Sequence, residues 1–123
     1  MKRKKVLVID DDPAVLDFLA ATLGTAYDVI STVSPHDALR LAREQKPDLI
    51  LCDIDMPEVD GAVISVRLFD DNAVRAIPFV YLTAIASPKE LGARGGYLGG
   101  RKAISKLQPP EDLLSRLREL LGT

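Results

Sequence analysis

The chain is short of cysteine, of charge imbalance and of long apolar runs. One cysteine among 123 residues excludes an internal disulfide, and alone it cannot make a metal centre. That residue, Cys52, is embedded in LILC and reads as a small core hydrophobe rather than a reactive thiol. Sixteen basic and eighteen acidic residues leave a net charge of -2, too balanced for an electrostatic nucleic-acid binder. The basic cluster Lys2, Arg3, Lys4 and Lys5 reads as a solvated N-terminal tail. Only Val6 to Ile9 follow it as an apolar run, too short for a signal-peptide core. No stretch approaches the ~20 apolar residues of a membrane span. Repeats, low-complexity tracts and Pro/Ser-rich linkers are absent as well. These absences predict a cytoplasmic protein with no membrane partner and no direct nucleic-acid partner.

What is present is a core's worth of apolar side chains, 47% of the chain, at the size of one domain. Residues 1–123 are read as a single domain with no room for an output domain. Met1 with its basic start is read as a natural N-terminus. The apolar residues come in alternating blocks. KVLVID (5–10) is a short continuous run, as in a central parallel strand covered on both faces. Asp12 and Pro13 suit the cap and first turn of a helix carrying Val15, Leu16, Leu19 and Leu23 to Gly24. YDVIST (27–32) predicts a second strand. Ser34 and Pro35 predict a helix start, with Ala38, Leu39, Leu41 and Ala42 inward and Pro47 as the stop. DLILC (48–52) predicts strand three, and DIDMPEVDG (53–61) a turn-rich loop. A helix is expected over about Ala62 to Ala73, and PFVYLT (78–83) as strand four. Ser87 and Pro88 open a further helix, but Gly92, Gly95, Gly96, Gly99 and Gly100 crowd it. Each interior glycine costs up to ~1 kcal/mol in a helix, so this one should be short or mobile. KAIS (102–105) is a weak fifth strand, and PPE (109–111) starts a last helix with Leu113, Leu114, Leu117, Leu120 and Leu121. The alternation predicts an α/β fold, a five-stranded parallel sheet with helices on both faces. Its crossovers should be right-handed.

In such sheets chemistry gathers at the carboxyl ends of the strands, beside the topological switch point. The predicted ends are Asp10 and Asp11, then Asp53, then Thr83, then Ser105 and Lys106. Three adjoining carboxylates repel one another, and burial worsens it. A cation among them resolves the conflict. Carboxylates without Cys or His suit a hard ion, and Mg²⁺ fits best. Such an ion prepares a site for a phosphoryl group by neutralising its oxygens. Lys106 and the Thr83 hydroxyl are placed to hold further oxygens. Asp53 can then act as nucleophile, because a carboxylate can form an acyl phosphate.

At these residues the sequence resembles the receiver domains of two-component response regulators, over essentially its whole length. VLVIDDDP (6–13) is similar to the family's first-strand motif. PDLILCDIDMPEVDG (47–61) is the most specific piece, with Asp53, Met56, Pro57, Asp60 and Gly61 at the family's spacing. IPFVYLTA supplies Thr83 and Ala84, and SKLQPPEDLL leads from Lys106 into the last helix. The resemblance implies a flavodoxin-like doubly wound fold with strand order 2-1-3-4-5. It implies phosphorylation of Asp53 by a phosphohistidine of a sensor kinase or phosphotransfer protein. Asp11 and Asp53 would bind Mg²⁺ directly, with the backbone carbonyl of Asp55, and Asp10 would act largely through metal-bound water. Thr83 would contact the phosphoryl group and move on activation. Lys106 would pair first with Asp53 and then with phosphate. Asp55 and Ile85 would tune the lifetime of the phosphate. The output would be a downstream protein or a fused output domain. A homodimer through the last two helices fits the family, though the glycines weaken that expectation. Self-phosphorylation and autodephosphorylation would be the only turnover, so "enzyme" is a borderline label.

Two positions depart from the family. Ala103 stands where an aromatic residue usually sits on the fifth strand, so the rotor that follows the threonine is missing. Tyr97 and Tyr81 are the nearest aromatic substitutes, and core packing is the plainer reading of both. Leu107 follows Lys106 where the family has a cis proline. A cis bond without proline costs ~3 kcal/mol or more, so a trans bond is expected. These departures leave a second reading open, an atypical interaction module of the same fold that signals without phosphorylation. A flavin enzyme of similar architecture is disfavoured, because acids rather than a Gly-rich phosphate loop follow strand one.

Overall fold

The structure is a computed structural model that describes residues 3–54, 63, 68, 70–84, 86–98 and 101–123. Strand β1 (Lys5–Ile9) leads to helix α1 (Pro13–Leu23), then β2 (Asp28–Thr32). A 3-10 turn over Pro35–Asp37 precedes α2 (Ala38–Gln45), followed by β3 (Leu49–Asp53) and β4 (Phe79–Thr83). The short helix α3 (Pro88–Ala93), the two-residue strand β5 (Tyr97–Leu98), β6 (Arg101–Ser105) and α4 (Pro110–Leu121) complete the described elements. The helix expected over Ala62 to Ala73 lies largely outside the described residues, as do Asp55, Met56, Pro57, Asp60, Gly61 and Ile85.

The sheet order is β2-β1-β3-β4-β6-β5. Its five long strands are parallel and follow the predicted 2-1-3-4-5 order. The correction is the sixth strand. β5 pairs antiparallel with β6 through Tyr97–Lys102 and Leu98–Arg101. The glycines explain it. Gly95 and Gly96 take left-handed φ values of 70° and 84°, which side-chain-bearing residues resist. Gly96 N–H closes on the Leu91 carbonyl at 2.7 Å, and Ala103 N–H donates to the Gly96 carbonyl at 3.0 Å. The glycines thus end α3 after six residues and turn the chain back along the sheet edge.

Helix starts follow local chemistry. The Asp12 side chain accepts from Ala14 N–H at 2.9 Å and caps α1. Ser87 and Glu90 form a reciprocal capping box on α3. Ser34 does not do what its position predicts. It makes no side-chain cap bond, because the chain enters α2 through the 3-10 turn. The basic N-terminus is also more tied down than a solvated tail. Arg3 donates to the Gly24 and Tyr27 carbonyls, and Lys5 Nζ donates to the Gln45 carbonyl at 3.0 Å.

Strand periodicity sorts the core into two layers. Leu7, Ile9, Ile50, Cys52, Phe79, Tyr81 and Ala103 form one buried cluster with Ala38, Ala42 and Leu91. Val6, Val8, Leu49, Leu51, Val80, Leu82 and Ile104 form the other with Leu16, Leu19, Leu23, Leu113 and Leu117. β1, β3 and β4 are therefore covered on both faces, which is why their sequences run apolar without alternation. Burying each such Leu, Ile or Val stabilises the fold by ~1.5–3 kcal/mol. Cys52 is a core residue, as expected. Tyr81 is buried edge-to-face on Phe79, with ring centroids 5.5 Å apart, whereas Tyr97 is 46% exposed and is not core.

Candidate functional site

The parallel register aligns the strand ends. Ile9 pairs with Cys52 on β1 and β3, so the next residues, Asp10 and Asp53, stand side by side at the strand ends. Asp53 pairs with Leu82 on β4, and Thr83 pairs with Ser105 on β6. Residues from distant parts of the sequence thereby share one rim. Asp10 is 0% exposed and Asp53 4% exposed, while Asp11 faces solvent. One oxygen from each of the three carboxylates lies within 4.8 Å of the others. Asp55, the remaining predicted ligand, lies outside the described residues.

The counter-charge is Lys106. Its Nζ donates to Asp10 Oδ2 at 2.5 Å and sits 3.3 Å from Asp53 Oδ1. The lysine thus bridges two buried acids, and its nearer partner is Asp10 rather than the predicted Asp53. Both acids are buried, and an unpaired charge at either would be costly. The other Asp10 oxygen, Oδ1, accepts the Asp12 N–H at 3.0 Å. Both Asp10 oxygens are therefore engaged by protein. Among the described residues no buried side-chain nitrogen or oxygen lacks a partner.

Burial of Lys106 disfavours its ammonium, but the hydrogen bond and charge of Asp10, then of Asp53, outweigh it. The net effect holds the lysine above its ordinary value of 10.5. Its backbone is pinned too, with Lys106 N–H donating to the Thr83 carbonyl at 2.8 Å. Thr83 is fully buried at the end of β4. The peptide after Lys106 is trans, as no described bond is cis. Leu107 N–H donates to Ser105 Oγ at 3.1 Å, and Gln108 Nε2 donates to the Ser105 carbonyl at 3.1 Å. Gln108 is the residue that the motifs miss. A lone glutamine in a loop before Pro109 and Pro110 carries no signal of its own.

The donor set fits Mg²⁺. It offers hard carboxylate oxygens, with one exposed edge where a partly hydrated ion can sit. Two cavities flank the lysine loop. One of about 210 Å³ is apolar and lies between α1 and α4, lined by Val15, Phe18, Leu82, Ser105, Lys106 and Gln108 among others. The other, about 260 Å³, opens beside Ala103 and shares Ser105 and Gln108.

Comparison with known proteins agrees with this site. The response regulator receiver domain family matches residues 6–118, and the chain belongs to that family. The DNA-binding dual master transcriptional regulator RpaA of Synechocystis is 36% identical over 118 residues, covering 95% of this chain and 48% of that protein. The polar-differentiation response regulator DivK of Brucella anthropi is 38% identical over 84 residues, 68% of each chain. The chain spans about half the length of RpaA and of the ycf27 regulator of Porphyridium aerugineum, 48% and 49% respectively. The receiver domain of the sensor histidine kinase PA1611 of Pseudomonas aeruginosa superposes with a TM-score of 0.81 at 25% identity, covering 100% of both chains. That protein was crystallised with a magnesium ion in its active-site cleft. The chemotaxis protein CheY4 of Vibrio cholerae superposes with a TM-score of 0.80 at 27% identity, over 97% of this chain and 99% of that one. Receiver domains of two-component systems take phosphoryl groups from histidine kinases, act on output domains and bind Mg²⁺ at this acidic site.

Proposed function

We propose that residues 1–123 form a single receiver unit that takes a phosphoryl group on Asp53 and thereby switches protein–protein contacts in the cytoplasm. The observation that carries this reading is the convergence of Asp10, Asp11 and Asp53 within 4.8 Å, with Lys106 bridging two of them. In the reaction, an Asp53 carboxylate oxygen attacks the phosphorus of a phosphohistidine on a kinase or phosphotransfer protein. The new O–P bond forms as the P–N bond breaks, and its electron pair stays on the donor imidazole. Bound Mg²⁺ supplies neutralisation of the phosphoryl oxygens. Asp11 and Asp53 would hold it directly with the backbone carbonyl of Asp55, and Asp10, already engaged by Lys106 and Asp12, would act through water. The Lys106 ammonium, 3.3 Å from Asp53, shifts onto a phosphoryl oxygen, and the Thr83 hydroxyl takes another. Asp55 and Ile85 set how fast water removes the phosphate. Autophosphorylation and autodephosphorylation are the only turnover. The downstream partner is a separate protein or a fused output domain.

Acetyl phosphate with Mg²⁺ should add one phosphate to the wild type and none to Asp53→Ala, read by intact-protein mass. Equal labelling of both removes Asp53 from this role.

Ala103 supports a second reading, an interaction module that signals without phosphate. No aromatic stands at that position, and a 260 Å³ cavity opens there instead. Titration with Mg²⁺ and beryllofluoride, followed by amide shifts, separates the two. Silence near Asp53 and Thr83 would favour the module.

A further inference from the structure

The loop after β6 holds a hydrogen-bonded clamp in the place where the family resemblance implies a cis proline. Four consecutive residues take part. Lys106 N–H is bonded to the Thr83 carbonyl on the neighbouring strand at 2.8 Å. One residue on, Leu107 N–H returns to Ser105 Oγ at 3.1 Å. One further on, the Gln108 side chain returns to the Ser105 carbonyl at 3.1 Å. A hydroxyl turn by itself would be an ordinary local motif. Here it is closed from a second side by Gln108, and Lys106 lies between the two closures. Ser105 is 1% exposed, so its carbonyl needs a partner, and Gln108 supplies one. The Leu107 side chain contributes little, being 61% exposed.

We propose that Ser105 and Gln108 are positioning residues that aim Lys106 at Asp10 and Asp53, replacing by side-chain hydrogen bonds the constraint a cis proline would impose. The proposal rests on the phosphoacceptor reading for its kinetic consequence only. Aim matters because a misplacement of ~1 Å in such a group can cost ~100-fold in rate. The clamp also forms a wall common to the cavity beside Lys106 and the cavity beside Ala103. A partner reaching either cavity touches the residues that aim the lysine.

The test has two arms. In the phosphate-free protein, ¹⁵N NMR follows the Lys106 ammonium, whose protons are observable while it stays in a persistent ion pair. Gln108→Glu keeps the shape and loses the donor; Ser105→Ala loses the acceptor. Both should broaden the ammonium signal beyond detection while the amide spectrum stays folded. Ser105→Thr should restore it. In the second arm, acetyl phosphate labelling with Mg²⁺ should slow by ~10-fold in Gln108→Glu and Ser105→Ala, and return to within ~2-fold in Ser105→Thr. Leu107→Pro removes the N–H that Ser105 accepts. Ser105→Ala should therefore cost nothing further in a Leu107→Pro background, since both delete one bond. A wild-type ammonium signal in folded Gln108→Glu and Ser105→Ala overturns the proposal, as do additive losses in the cycle. A wild type that takes no phosphate overturns the phosphoacceptor reading instead, and the ammonium arm still decides the clamp.

Discussion

The carboxyl rim of the sheet and its outer edge beyond β6 are built on different principles. At the carboxyl rim, Asp10, Asp53 and Thr83 extend strands that are buried on both faces. Their backbones have little freedom, so the carboxylates are held close despite their repulsion, and Lys106 offsets it. Along the outer edge, six-residue α3 and two-residue β5 lean on the sheet through turns and one short ladder. The contrast separates where chemistry is held from where the surface can be remodelled. A pre-positioned site needs rigid support. An edge used for contacts can be rebuilt with glycines while the rim keeps its geometry.

Matched truncations in the two regions should break the symmetry most. Leu51→Ala, in the middle of β3 and fully buried, should lower unfolding stability by ~3–4 kcal/mol in urea titration. Leu98→Ala on the partly buried edge strand should cost ~1 kcal/mol or less. Equal losses would mean that the edge is as integral as the centre.

Removing the rim's cation comes next. Lys106→Ala leaves Asp10 buried beside Asp53 with no counter-charge, and should cost ~3 kcal/mol. Added Mg²⁺ should recover part of that loss, read as a rise in the urea midpoint. Ser87→Ala, which opens the α3 capping box, should cost only ~1 kcal/mol and leave the Mg²⁺ response unchanged.

The pH dependence sharpens the same contrast. Lys106 is raised in the folded state, so folded protein holds its proton more tightly than unfolded protein does. Its contribution is complete below 10.5 and is lost as pH rises through the raised folded value. Stability should therefore fall on the alkaline side, and Lys106→Met should flatten that fall. The smallest effect lies far from the rim. The Arg43 hydrogen bond lowers Asp71 below 3.8, against desolvation, aided by the Ala73 N–H and the Arg43 charge. That contribution is present above 3.8 and fades as pH drops through the lowered value. The urea midpoints of wild type and Arg43→Ala should differ slightly near neutrality and converge in acid.

Much of the central sheet was legible because doubly covered strands leave a local mark. KVLVI, LILC and FVYLT show no alternation, and each strand ends within one position of the prediction. Caps were legible where a side chain meets its own backbone, as at Asp12 and Ser87, and failed at Ser34, where a 3-10 turn intervened. β5 was not legible. Two residues between glycine pairs carry no periodicity, and their pairing with Arg101 and Lys102 exists only once the turn at Gly95 and Gly96 has formed. The acids of the site were legible as strand-end residues, and so was the pairing of Lys106 with Asp53. Its closer contact with Asp10 was not, because that distance is set by packing.

The amino-acid order alone determined the strand and helix alternation and the identity of the charged rim residues, which follow from hydrophobic period, punctuation and motif spacing along a local window. The order of the five long strands was implied by the resemblance to receiver domains. Tertiary structure decided the edge hairpin, the tighter hold of Lys106 on Asp10 and the loop clamp through Gln108. The Lys106–Asp10 contact joins residues 96 positions apart, and the hairpin and clamp depend on how their turns close against β6, which no hydrophobic period records.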